Sequence, residues 1–384
     1  MKILFLVSDA NARGGTEILA YNLLDRLNSV GVESYLLSRW QYKGDEPRVL
    51  SFSDVDFKKW HLISNNPINK LMGNFLSDRF FKKILYKIAS DLQVDWIINH
   101  TYDLVGAMPT NSGISTGQIF NWSVKGYEEN LKNEVHKKNF ASRIVSCIAL
   151  ESLRCRWHKA IPNVDKLIVL SDAAQLEMKA VCPAVKESQL VTIPDPLMQT
   201  TDSSRVSDLR NKNIVFVGRL SQEKGVMRLL KIWERISKQL PDNTLYIYGE
   251  GHMKEAMLRY ISVKQIEHIE FKGFEKDLEK IYTGADLCLM TSDTEGFGMV
   301  LIEAMYFGVP CVSFDCPVSP KEIIGDAGVT VPCFDEEAYA EAVVNLLQNP
   351  EQMRVLQQES IERARNFYID KVIEKWMELL NSRD

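Results

Sequence analysis

No apolar run in the 384-residue chain approaches the roughly 20 residues that a helix needs to cross a bilayer. The opening Met1-Lys2-Ile3-Leu4-Phe5-Leu6-Val7 is too short for a secretory leader and reaches Asp9 without a cleavage site, so a cytoplasmic location is expected. Basic charge is not in excess. The 46 Lys and Arg face 51 Asp and Glu, a formal net charge of −5, whereas a nucleic-acid partner calls for a basic footprint. The seven cysteines, Cys147, Cys155, Cys182, Cys288, Cys311, Cys316 and Cys333, are odd in number and contain no C-x-x-C pair. Neither a disulfide framework nor a zinc site is indicated, and most of them read as small buried hydrophobes. Low-complexity tracts and repeats of solenoid period are also missing.

What is present is ordinary for a folded chain: 45% hydrophobic and 25% charged residues. At about 100–200 residues per domain, the length indicates two domains or three. Charge is shared unequally between the halves. Residues 1–200 carry 24 basic and 21 acidic residues, against 22 and 30 in residues 201–384. Opposite balances of +3 and −8 suggest two domains that meet different partners.

Short apolar runs alternate with helical patterns, each switch marked by Gly, Asp, Asn or Pro. Strands are expected at Lys2–Ser8, Val32–Ser38, Trp96–Asn99, Ser115–Asn121 and Lys166–Ser171, with an amphipathic helix over Thr16–Val30. In the second half they are expected at Asn213–Leu220, Thr244–Tyr248, Ile269–Lys272, Leu287–Thr291, Cys311–Phe314 and Val329–Val331. Continuous apolar strands separated by helices indicate parallel sheets covered on both faces. The fold class is therefore α/β, with two doubly wound Rossmann-like domains. The boundary is expected in the polar run Gln199–Lys212, giving domains 1–200 and 201–368 followed by a last helix, 369–384. Residues 40–80 show no clear period.

Two stretches carry chemistry. In Val215–Gly225 a strand runs into Gly218, a polar turn bears Arg219 and Lys224, and Gly225 opens a helix. Ligands of open α/β sheets sit beyond the carboxyl ends of the strands, and a helix start there favours an anion. A pyrophosphate fits this turn; two solvated surface cations have the same spacing. In Thr291–Met305, Glu295-Gly296-Phe297-Gly298 forms a turn and Glu303 follows on an apolar helix. Glycines permit close backbone approach, and a carboxylate among Leu301, Ile302, Ala304 and Met305 needs a partner, for which sugar hydroxyls are suitable. A buried structural salt bridge would serve Glu303 equally. Paired acids also occur in glycoside hydrolysis, but phosphate-binding cations so near favour a phosphorylated sugar.

Gly218-Arg219-Leu220-Ser221 with Lys224-Gly225, followed by Glu295-Gly296-Phe297-Gly298 and Glu303-Ala304, resembles the retaining glycosyltransferases of family 4, which have the GT-B fold. The likeness spans about residues 213–325 and takes in Gly249-Glu250-Gly251 and Asp315–Ile323, a run similar to bacterial hexosyltransferases of lipopolysaccharide and capsule assembly. The first half matches more loosely, through Gly14-Gly15-Thr16-Glu17. The resemblance implies two domains facing across a cleft, with the last helix crossing back onto the first. It implies that Arg219 and Lys224 bind the donor diphosphate, that Glu295 meets the sugar hydroxyls with the amides of Phe297 and Gly298 nearby, and that Glu303 holds the ribose. Gly218 and Glu250 join the donor site, and Gly15 would face the diphosphate from the first domain. It implies a UDP-sugar donor, no metal and no cofactor. The family commonly has a His after a first-domain strand, and aligning Gly117–Ser123 puts Asn121 there. Asn can hydrogen-bond a sugar but cannot take a proton. His100, at the end of the preceding expected strand, is a second candidate, with a structural role as its alternative.

The expected activity is transfer of a hexose or N-acetylhexosamine to a lipid-linked or surface glycan. Two other readings stay open: a sugar-nucleotide epimerase or hydrolase of the same architecture, and a non-catalytic nucleotide-sugar-binding partner of another transferase. Lys132–Lys159 holds seven basic residues against Glu134 and Glu151, and Arg79–Lys87 mixes aromatics with cations at helical spacing. Both suit anionic lipid headgroups at the inner face of the plasma membrane, and both also suit a solvated helix face.

Overall fold

The computed structural model describes residues 1–382 apart from 12–14, 41, 53–74, 102–103, 110–111, 122, 124–150, 152–154 and 156. Contacts divide the chain into two units, residues 1–194 with 373–384 and residues 195–372.

The first unit contains β1 (Lys2–Val7), α1 (Gly15–Ser29), β2 (Glu33–Ser38), β3 (Val49–Ser51), α2 (Phe75–Leu92), β4 (Trp96–Asn99), β5 (Ser115–Phe120), β6 (Lys166–Val169), α3 (Asp172–Val181) and β7 (Leu190–Thr192). Its seven strands form one parallel sheet in the order β3-β2-β1-β4-β5-β6-β7. Residues 3–7 of β1 are fully buried, as a central parallel strand covered on both faces requires. Phe52 and Phe81 meet edge-on at 4.6 Å and fix α2 on the sheet. The basic-aromatic run Arg79–Lys87 is thus helical, as its spacing predicts. The cationic stretch Lys132–Lys159 falls mostly outside the described residues.

The second unit contains β8 (Asn213–Val217), α4 (Val226–Gln239), β9 (Thr244–Tyr248), α5 (Lys254–Lys264), β10 (Ile269–Gly273), α6 (Leu278–Tyr282), β11 (Leu287–Met290), α7 (Met299–Tyr306), β12 (Cys311–Phe314), α8 (Pro320–Ile324), β13 (Gly328–Val331), α9 (Glu336–Leu347) and α10 (Pro350–Ala364). Its parallel sheet runs β10-β9-β8-β11-β12-β13, so the winding direction changes between β8 and β11. Trp233, Phe216, Phe314 and Tyr339 fill the core. Tyr339 is fully buried, and its hydroxyl donates to Val312 O at 2.5 Å and accepts from Met290 N at 3.1 Å, tying the ends of β12 and β11 together. That bond braces the chain just before the loop that carries Glu295.

The polar run Gln199–Lys212 is held by the second unit. Ile369 N donates to Gln199 O at 3.3 Å, Ser207 N donates to Phe307 O at 2.9 Å, and Asp202 pairs with Arg365 at 2.6 Å. Its polarity reflects hydrogen bonding to a surface rather than a free tether. The final helix, α11 (Ile369–Asn381), enters the first unit from residue 373. There Trp376 meets Phe5 at 6.1 Å, and Trp96 Nε1 donates to Leu380 O at 3.2 Å.

Trp96–Asn99, Thr244–Tyr248 and Cys311–Phe314 are strands with the expected limits. Others stop early; β8 ends at Val217, and Gly218 N makes a last bond to Tyr248 O of β9. β3 and β7, three residues each, are too short to show a period.

Candidate active site

The turn after β8 and the loop after β11 are built as one piece. Gly225 lies at φ +65°, between a 3-10 turn over Gln222–Lys224 and α4, and a Cβ there would sit 1.9 Å from Thr291 O. Only glycine tolerates both the left-handed backbone and that approach. Thr291 Oγ1 donates to Lys224 O at 3.1 Å, and Asp293 N donates to Glu223 O at 2.8 Å. Arg228, in the first turn of α4, donates to Thr291 O at 3.2 Å and to Asp293 Oδ1 at 2.5 Å. Its guanidinium also lies 4.5 Å from the Phe334 ring centre.

This lacing brings Lys224 against Glu295. The ammonium donates to both carboxylate oxygens, at 2.6 and 2.9 Å, and Ser292 Oγ donates to Oε1 at 2.5 Å. Glu295 is buried, with 9% of its surface exposed, and the Lys224 side chain is a quarter exposed. Arg219 behaves differently: its side chain is 64% exposed, with Glu223 the nearest carboxylate at 3.9 Å. One cation of the turn is locked to an acid, and the other projects into solvent.

A third turn closes beside them. Gly218 N donates to Tyr248 O at 3.0 Å, Gly249 N to Gly273 O at 2.7 Å, and Leu220 N to Glu250 O at 2.9 Å. Glu250 contributes its main-chain carbonyl to this join, and its carboxylate takes Lys254 Nζ at 2.9 and 3.1 Å on the surface.

Phe297 is buried, edge-on to Phe367 at 5.7 Å, and Gly298 at φ +100° caps α7. Ser319 Oγ donates to Gly296 O at 3.0 Å, so this turn is held from the next loop as well. Glu303 sits one turn along α7. Tyr282 Oη donates to it at 3.4 Å, and burial pushes its carboxyl up to about 7 against that hydrogen bond. No cation pairs with Glu303 among the described residues, so the structural salt bridge is not what occupies it.

The chain therefore gathers Gly218, Arg219, Lys224, Glu250, Glu295, Phe297, Gly298 and Glu303 within the second unit. Gly15, the first residue of α1, and Asn121, the half-buried residue after β5, belong to the first. His100 departs from its expected candidacy. It is 4% exposed, packed on Phe5 at 5.5 Å, and burial holds its imidazole down near 3, neutral at physiological pH. A core residue is the better description.

Arg228, Ser292, Asp293 and Tyr282 escape motif reading. One signal was available: Lys224 and Arg228 stand four apart at a helix start, while Asp293 and Glu295 stand two apart in the opposing loop, giving two matched charge pairs. Among the described residues no group of three His, Cys, Asp or Glu side chains is placed to hold a metal ion.

Two parallel α/β units, with loops bearing Lys and Glu at the strand ends of the second, have the GT-B architecture. Comparison agrees. Residues 211–349 match the family model of glycosyl transferases group 1. An uncharacterized glycosyltransferase of Haemophilus influenzae is 27% identical over 384 residues, covering 99% of both chains. An α-1,4-N-acetyl-D-galactosaminyltransferase of Campylobacter jejuni, whose name gives a PP-undecaprenol-linked glycan as acceptor, is 23% identical over 99% of this chain and 98% of its own. The crystal structure of an Anabaena protein in complex with UDP-glucose superposes with a TM-score of 0.70 at 17% identity, covering the whole of both chains. The match to glycosyl transferases group 1 thus lies within the second unit, and the comparisons support a glycosyltransferase acting in glycan biosynthesis.

Proposed function

We propose that the chain moves a hexose or N-acetylhexosamine from a UDP-sugar to a lipid-linked or surface glycan, with retention at the anomeric carbon and without a metal ion. The Lys224–Glu295 contact carries this reading. A diphosphate oxygen arriving at Lys224 competes with Glu295 for the ammonium, and it releases a carboxylate beside the sugar whose hydroxyls can donate to it. Binding and sugar recognition are then coupled through one ion pair. Arg219, mostly exposed, supplies the second cation for the departing phosphate. Glu303 and the amides of Phe297 and Gly298 complete the donor site. The acceptor oxygen bonds to the anomeric carbon as the bond to the diphosphate breaks, and its proton passes to the departing phosphate oxygen on the same face. Two cations at that phosphate do the charge neutralisation that a divalent ion performs elsewhere.

The UDP-glucose bound by the Anabaena neighbour and the polyprenyl-linked acceptor named for the Campylobacter relative support donor and acceptor classes. Peripheral attachment to an anionic membrane face belongs to the same proposal. The outward side of α2 presents Arg79, Lys83, Tyr86 and Lys87, and no helix among the described residues is long and apolar enough to cross a membrane. Cosedimentation with anionic liposomes at low salt tests it, and no binding removes it.

The principal test is a thermal-shift screen of UDP-, GDP- and ADP-sugars. A rise in Tm confined to UDP-sugars is expected; a uniform or absent response overturns the donor assignment. In a transfer assay with the responding donor, a chelator should leave turnover intact, and its loss would contradict metal independence.

A further inference from the structure

Two thiols that the donor chemistry does not use meet at the carboxyl ends of β12 and β13. The strands run parallel with Phe314 beside Val331, and Asp315 N extends the ladder by donating to Val331 O at 2.7 Å. Two residues beyond Phe314 and Val331, the same register sets Cys316 opposite Cys333. Neighbouring strands lie about 4.8 Å apart, inside the roughly 4.4–6.8 Å that a disulfide spans between Cα atoms. The side chains agree with the register. Cys333 Sγ donates to Asp315 O at 3.0 Å, the carbonyl of the peptide that joins Asp315 to Cys316, and both cysteines are free thiols.

Cys316 is 3% exposed and Cys333 is half-buried, so a reagent from solvent reaches Cys333 first. Cys288 and Cys311 are also register partners, on β11 and β12, but both are wholly buried and offer no such entry. Cys316 borders the donor loops. Burial pushes its thiol up, Glu295 and Cys333 add to the rise, and Lys224 opposes it, so it lies within electrostatic reach of both members of the Lys224–Glu295 pair. The loop after β12 is also tied to the Glu295 turn, through Ser319 Oγ and Gly296 O.

We propose that Cys316 and Cys333 form a redox-sensitive pair whose disulfide disables the donor loops. The oxidant is a low-molecular-weight disulfide such as oxidised glutathione. The Cys333 thiolate attacks one of its sulfurs and expels one thiol, leaving a mixed disulfide; the Cys316 thiolate then attacks the Cys333 sulfur and expels the second thiol. Two protein thiols are oxidised to one disulfide, the reagent is reduced to two thiols, and the two protons end on those thiols. Burial and Asp315 lift the Cys333 thiol, Arg228 opposes them and Asp293 adds to them, so exchange quickens as pH rises. The new bond holds the loop after β12 to β13 and draws it off the Glu295 turn. Its effect on transfer rests on the donor reading; the bond itself does not.

The test treats the full chain with oxidised glutathione and then with dithiothreitol. Peptide mapping by mass spectrometry should find Cys316 joined to Cys333. Affinity for UDP, by calorimetry, should fall at least about tenfold and return on reduction. Cys333→Ser, which keeps a donor for Asp315 O, should hold its affinity under oxidant. The proposal is overturned by an absent link, by a link between Cys288 and Cys311 instead, by a linked chain that binds UDP as the reduced one does, or by an equal loss in Cys333→Ser. If the reduced chain binds no UDP, the donor reading fails alone and hydrogen exchange decides the pair. Faster exchange over residues 293–298 is then expected in the linked chain, and unchanged exchange overturns the switch.

Discussion

Lys224 holds Glu295 through both carboxylate oxygens across 71 residues of chain. With Arg228 and Asp293 one turn away, the pair forms a double charge bridge between the β8–α4 turn and the loop after β11. The same two residues are assigned the central roles in donor binding, so their substitutions should be read in stability and turnover together.

Lys224→Met leaves the buried Glu295 carboxylate without its cation and should destabilise the second unit by about 2–3 kcal/mol. The double variant Lys224→Met/Glu295→Gln should recover most of that loss, because no charge is then left unpaired. Urea unfolding of the single and double variants measures it. Turnover should fall at least about tenfold in Lys224→Met and Arg219→Ala, and stay low in the double variant. Stability and activity thus separate: recovered folding with lost transfer marks the pair as part of the site.

Gly225→Ala meets two penalties at once, a left-handed backbone and a contact of 1.9 Å with Thr291 O. A loss of at least about 2 kcal/mol is expected, since the blocking atom is backbone carbonyl and cannot rotate aside. Thermal unfolding of the variant gives the value, and a near-wild-type Tm would mean the two loops can separate cheaply.

Glu303 predicts a pH dependence. Its carboxyl titrates near 7 in the folded chain against an ordinary value of 4.5, so the folded state binds the proton more tightly than the unfolded one. Stability from this group is therefore lost as pH rises from about 4.5 through 7, by up to about 3 kcal/mol. Glu303→Gln should flatten that part of the Tm profile and raise Tm at pH 8. An unchanged profile would show that Glu303 does not carry it.

Trp376 belongs to the last helix yet sits in the core of the first unit, 2% exposed beside Phe5. Trp376→Ala should cost about 3–5 kcal/mol there. Calorimetry of the variant should show the loss in the first unit's transition, with the second unit, monitored through UDP-sugar stabilisation, little changed.

The architecture was largely legible because parallel strands buried on both faces leave continuous apolar runs, such as Ile3–Val7 and Cys311–Phe314, and helices leave a 3.6-residue period. Gly218, Gly225 and Gly298 were legible for a related reason, since a turn after a strand announces itself in glycine and charge. His100 was not, because its neutral burial depends on Phe5, nearly a hundred residues away.

By itself the sequence determined two α/β domains and which turns carry cations, glycines and acids, because these depend on hydrogen bonding and burial within a few residues. The tertiary structure decided the pairings: Lys224 with Glu295, Arg228 with Asp293, and Trp376 with Phe5. Each joins positions whose separation along the chain is set by sheet order, and sheet order leaves no local period to read.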